Sequence, residues 1–86
     1  MKRNTHARPN PREILALNLK RLRAVHGWSQ DTLALEAGLD RTFVAHVERL
    51  RRNISLDNIE KLAVALGVPL AWLLEVDLGS QLEDAE

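Results

Sequence analysis

The 86-residue chain has no cysteine, so disulfides, thiolate zinc sites and cysteine nucleophiles are excluded. It has no tyrosine, and its aromatics are Phe43, Trp28 and Trp72. Single-strand nucleic-acid binders interleave aromatic stacking platforms with a basic surface, and this chain has too few for that. It lacks a long apolar run. The longest uncharged stretch, Leu62–Leu74, is interrupted by Gly67 and Pro69, whereas a membrane-spanning helix needs about 20 apolar residues. No apolar segment follows Lys2 and Arg3, so no secretory leader is expected. Net charge is absent too, which argues against a protein that coats nucleic acid indiscriminately. Glycine-rich phosphate loops, nucleophile–base pairings and carboxylate pairs outside the charged tail are missing, so no enzyme is expected. His6, His26 and His46 have no ligand partner one helical turn away, so neither metal nor cofactor is expected.

What remains is one small domain, 45% apolar, with a charge gradient. Residues 1–26 carry seven bases against one acid; residues 75–86 carry five acids and no base. The organisation expected is a basic flexible arm over 1–10, a helical domain over 11–76 and an acidic tail over 77–86. The basic end could meet phosphate, or both ends could be solvated tails.

Helix signals follow one another along the chain, without strand pattern or internal repeat. Asn10 and Pro11 open a helix over about 11–26, with Leu15, Leu19, Leu22 and Val25 as its apolar stripe and Gly27 as its end. Ser29 opens a second over about 29–37, stopped by Gly38. Asp40 is expected to cap a third over about 40–49, with Val44 and Val47 facing inward. Ser55 caps a fourth over about 56–66, carrying Ile59, Leu62, Ala63 and Leu66. Pro69 begins a short fifth over about 69–75.

The span Gln30–Arg49 is the most informative. A helix-turn-helix needs a small residue where two short helices cross, which Ala34 supplies. It needs a turn residue tolerating positive φ, which Gly38 supplies. Val44 and Val47 then pin the second helix. Arg41 heads that helix, where its fork can bond guanine O6 and N7 together. Thr42 can touch a thymine methyl or a phosphate, or simply begin the helix. Phe43 can brace a neighbouring arginine or the sugar edge, or pack inward. Arg49, Arg51 and Arg52 lie just beyond the helix, placed for phosphate.

The runs Trp28–Ala34, Glu36–Thr42, Val47–Arg49 and Ile59–Val68 resemble the Cro/repressor-type (XRE-like) helix-turn-helix family, over about residues 12–75. Leu39–Phe43, Glu48-Arg49 and Arg52-Asn53 look most like restriction–modification controller proteins. The resemblance implies an all-α, compact five-helix, lambda-repressor-like fold, a homodimer, and a third helix set in the major groove. It places Gln30 on phosphate, Arg41, Thr42, Ala45 and His46 toward base edges, and Arg52 and Asn53 along the backbone or operator centre. It also pairs Arg23 with Glu48 as an ion pair joining helices one and three. Two positions depart from the pattern. Ala45 stands where the family often has serine. Leu50 stands where it usually has glycine, and a β-carbon resists the left-handed conformation, which leaves the path of that loop open.

The function expected is therefore a sequence-specific, cytoplasmic regulator that binds double-stranded DNA as a homodimer on a near-palindromic operator. Its dimer surface is expected at Val68, Leu70, Trp72, Leu73 and Val76, with Leu73 and Leu74 dividing between core and interface. Two rivals stand beside it at this point: an antitoxin with a toxin partner and autoregulatory DNA binding, and a helical interaction module that binds no DNA.

Overall fold

The computed structural model describes residues 10–84. The expected arm, apart from Asn10, lies outside the described residues. Among those residues there are five α-helices, one 3-10 helix and no strand: α1 (Pro11–His26), α2 (Gln30–Glu36), α3 (Phe43–Glu48), α4 (Leu56–Leu66), the 3-10 helix Leu70–Leu74, and α5 (Leu78–Asp84).

Local chemistry accounts for where the helices begin. The Asn10 side chain accepts from the backbone N–H groups of Arg12 and Glu13, and the Glu13 side chain reaches back to the Asn10 N–H, a reciprocal capping box behind Pro11. Ser29 Oγ accepts from Thr32 N at 3.0 Å, and Ser55 Oγ from Asn58 N at 3.1 Å. Asp40 caps a tighter start than expected. Its carboxylate accepts from Thr42 N at 2.9 Å, its carbonyl accepts from Phe43 N, and regular α-geometry begins only at Phe43.

The helix ends share one device. After α1, α2 and α4, a glycine N–H and the next N–H turn back onto carbonyls of the last turn, as in Gly38 N to Leu35 O and Leu39 N to Ala34 O. Gly38 sits at φ 73°, a conformation that turns α2 sharply into α3. The end of α3 repeats this pairing with Leu50 N to Val47 O and Arg51 N to His46 O. Leu50 therefore occupies the left-handed region at φ 60°, as the missing glycine would have done. The loop keeps its path, and the chain carries a strained leucine there.

One core joins all the elements. Leu19, Leu33, Ala34, Val44, Leu62 and Leu73 are fully enclosed at its centre. The α1 stripe departs from expectation at its end: Val25 is 67% exposed. At 3.6 residues per turn the buried line runs from Leu15 through Leu19 and Leu22 toward His26, so Val25 rotates outward. His26 stacks on Trp28 and its Nε2 lies 2.9 Å from Leu66 O, closing α1 onto the end of α4.

The C-terminal end also differs from expectation. The fifth helix as read is a 3-10 turn, and beyond it the segment taken for an acidic tail forms α5. Leu78 is fully buried and Leu82 packs against the core, so packing continues past residue 76. Asn18 is what holds the turn in place. It is 1% exposed, and its Nδ2 donates toward the carbonyls of Trp72, Leu73 and Glu75 at 3.2, 3.1 and 2.9 Å. Trp72 O already accepts from Glu75 N at the end of the turn, whereas the two amide N–H groups give Leu73 O and Glu75 O the donor the turn itself does not supply.

Candidate nucleic-acid interface

Helix α3 is divided lengthwise. Phe43, Val44, Val47 and Glu48 are buried. Thr42, Ala45, His46 and Arg49, spaced by three and four residues, lie on the opposite face. Thr42 and Arg49 are exposed there, and Ala45 and His46 half-buried. Arg41 precedes this face and Arg51, Arg52 and Asn53 follow it, all four exposed. A six-residue helix thus presents a short surface opened by one arginine and closed by three.

Glu48 bolts α3 to the rest of the domain. Its side chain is 1% exposed and faces Arg23 of α1 in a two-pronged pair, Nε to Oε2 and Nη2 to Oε1, both 2.8 Å. Gln30 Nε2 donates to the same Oε1 at 2.8 Å, and Arg23 Nη1 also donates to Trp28 O at 3.0 Å. The hydrogen bonds from Arg23 to Glu48 raise the arginine's pKa beyond its ordinary value, so the guanidinium stays charged. Three elements, α1, α2 and α3, therefore meet on one carboxylate. Bidentate geometry fixes the angle of α3 as well as its distance.

The expected site residues fall into distinct situations. Gln30 spends one amide N–H on Glu48 and stands half-buried at the head of α2. Thr42 Oγ1 donates to Asp40 Oδ1 at 2.6 Å, which leaves its methyl group and hydroxyl lone pairs for a ligand. That hydroxyl and the Thr42 backbone N–H hold the Asp40 carboxyl below the usual carboxylate range. Phe43, expected among the DNA-facing residues, is buried at 5% and packs in the core. It can act on a ligand only through Arg52, whose guanidinium carbon lies 5.0 Å over its ring. Arg41 leans back to α2, its Nη2 3.1 Å from Asp31 Oδ2. Within the expected dimer surface, Leu73 is fully buried and belongs to the core, where the turn packs on α1 and α4; Leu74 is 39% and Val76 59% exposed. Val68, Leu70 and Trp72 are half-buried.

Asn18 and Asp31 were missing from the sequence-based list. Asn18 had a faint signal, a polar residue three positions after Leu15 on an apolar stripe. Asp31 had none, since its partner lies ten residues away across a turn. Among the described residues no group of His, Asp and Glu could hold a metal ion, and no helix is long and apolar enough to cross a membrane.

Residues 19–73 match the model of a helix-turn-helix family. The chain is 56% identical over 63 residues to a Neisseria hypothetical transcription factor from Neisseria meningitidis serogroup B, covering 73% of this chain and 59% of that protein. It is 53% identical over 47 residues to control protein C.BamHI from Bacillus amyloliquefaciens, covering 55% of this chain and 58% of the relative. The chain thus spans about three fifths of the length of these two curated relatives. Among solved structures, the restriction-modification controller protein C.AhdI from Aeromonas hydrophila superposes with a TM-score of 0.68 at 47% identity, covering 72% of this chain and 94% of that one.

Proposed function

This chain belongs to the helix-turn-helix family, and on that premise we propose that it is a sequence-specific transcription regulator of double-stranded DNA. The observation that carries this is the exposed face Thr42–Ala45–His46–Arg49, opened by Arg41 and bolted through Glu48 to α1 and α2. A helix so held can enter a major groove as a rigid body. Arg41 reads guanine through its fork, Thr42 offers a methyl group to thymine, and Arg49, Arg51 and Arg52 with Asn53 meet the backbone. Gln30 contacts phosphate with the N–H that Glu48 leaves free. The work is done by occupancy, in the cytoplasm, without catalysis or cofactor.

So short a helix reads only a few base pairs, so the regulator acts as a homodimer on a near-palindromic operator, with half-sites about 34–36 Å apart. Val68, Leu70, Trp72 and Val76 support a dimer surface at the C-terminal end, with Leu74 taking the place expected of Leu73. The control-protein relatives favour regulation of restriction–modification genes over an antitoxin role.

Selection from a random duplex pool tests the reading. The enriched sites should be inverted repeats with a guanine in each half that Arg41→Ala no longer prefers, at a cost of about 1–3 kcal/mol on the selected site. Leu70→Glu should keep helical content and lose cooperative occupancy of both halves. A pool that shows no enrichment, bound with one protein per duplex by a monomer at tens of micromolar, would refute it. Co-purification with a small protein partner would instead favour the antitoxin.

A further inference from the structure

Arg41 is not left free in solution. Its Nη2 meets Asp31 Oδ2 at 3.1 Å, with 72% of the arginine side chain and 49% of the aspartate exposed. An ion pair this wet contributes little to folding. Asp31 is itself well placed, in the first turn of α2 behind the Ser29 cap, where the helix dipole favours a carboxylate. We infer that Asp31 is a specificity-determining residue: it orients Arg41 toward the base edges and withholds its charge from phosphate. This rests on the DNA-binding reading above and deepens it.

The guanidinium has five N–H donors, and guanine recognition needs two of them side by side. One donor held by Asp31 leaves such a pair free and limits the rotation of the long side chain. The carboxylate also opposes any swing of Arg41 toward the backbone, since its favourable partner would be lost. On random DNA, where no guanine is in register, Arg41 then adds little; on the operator it binds already ordered. The two effects act on opposite sides of the specificity ratio, so removing Asp31 degrades that ratio from both.

The test is Asp31→Asn, which keeps a residue compatible with the helix start while removing the charge. With full-length protein, affinity for random duplex should rise, and its salt slope should steepen by about 0.9 as Arg41 gains a phosphate. Preference for guanine at the Arg41 position should fall by roughly 2- to 10-fold, the range set by ordering one rotamer-rich side chain. In an Arg41→Ala background the same substitution should leave base preference unchanged. Equal strengthening on operator and random DNA, with base preference intact, would overturn the inference, because plain removal of a negative charge predicts that. A separate readout needs no DNA. The Arg41 side-chain N–H groups should be more ordered in wild type than in Asp31→Asn by NMR relaxation. Equal mobility in both would overturn the inference even where DNA binding is confirmed, whereas ordered Arg41 in a protein that selects no sequence would overturn the DNA-binding reading and this inference with it.

Discussion

Glu48→Ala should be the most damaging single truncation around α3. The carboxylate is 1% exposed and accepts two hydrogen bonds from Arg23 and one from Gln30, each at 2.8 Å. Removing it strands the guanidinium with only Trp28 O and orphans the Gln30 amide. Breaking a buried pair from one side costs about 3–5 kcal/mol. Arg23 retains 18% side-chain exposure, so water can reach the stranded charge, which places the expected loss near the lower bound, about 3 kcal/mol. For a domain of this size, about 4–8 °C of melting temperature accompanies each kcal/mol, giving a drop of roughly 12–24 °C. Calorimetry and urea titration should agree, with the m-value unchanged. The double variant Arg23→Met, Glu48→Leu should recover most of the loss, since apolar replacements leave no buried charge unpaired. A drop of less than about 2 °C, or a double variant no more stable than the single, would refute the argument that a stranded charge sets the cost.

Asn18→Ala should cost about 1–3 kcal/mol by leaving the carbonyls of Leu73 and Glu75 without a donor, and amide exchange should rise over 70–75. Asn18→Asp should be worse, because a carboxylate would face the same oxygens; an Asp variant as stable as the Ala variant would count against the clasp. At Leu50, glycine relieves roughly 1–2 kcal/mol of left-handed strain against roughly 0.5–1 kcal/mol of added chain entropy, so Leu50→Gly should melt no lower than wild type. Leu50→Val should melt lower, since a β-branched residue tolerates that region least, and a reversed order would sink the reasoning. Asp40 should titrate below its ordinary value of 3.8, because Thr42 hydrogen-bonds the ionised form. Its contribution to the turn is then complete at neutral pH and lost only as the pH falls through that depressed value. An NMR midpoint at or above the ordinary value, or one that Thr42→Val leaves in place, would contradict this.

Most of the helix-turn-helix was legible because its signals are local. A cap side chain reaches two or three residues, as Ser29 and Ser55 do, and a glycine end such as Gly38 needs only the turn before it. Apolar spacing likewise reports one helix face, so Ile59, Leu62, Ala63 and Leu66 were identifiable without knowing what they pack against. The approach to α3 was visible in Asp40, although its tight first turn and the length of the helix were not. The Arg23–Glu48 pair came from a resemblance and not from spacing, which cannot align residues 25 positions apart.

What spacing cannot reach is the choice of partner between elements. Leu73 and Leu74 are chemically identical, and only the packing of the turn on α1 and α4, with Asn18 holding its carbonyls, decides which enters the core. Leu78 sits in an acidic segment that reads as solvated tail until α1 offers it a place to bury. Gln30, Asp31 and Phe43 carry side chains suited to several roles, and each takes the one that the crossing of α1, α2 and α3 puts within reach. The sequence by itself determined where the first four helices lie and most of their apolar faces, because those energies lie within a single turn. Only the tertiary structure decided which polar atoms meet, because a hydrogen bond across the core depends on the placement of elements far apart in the chain.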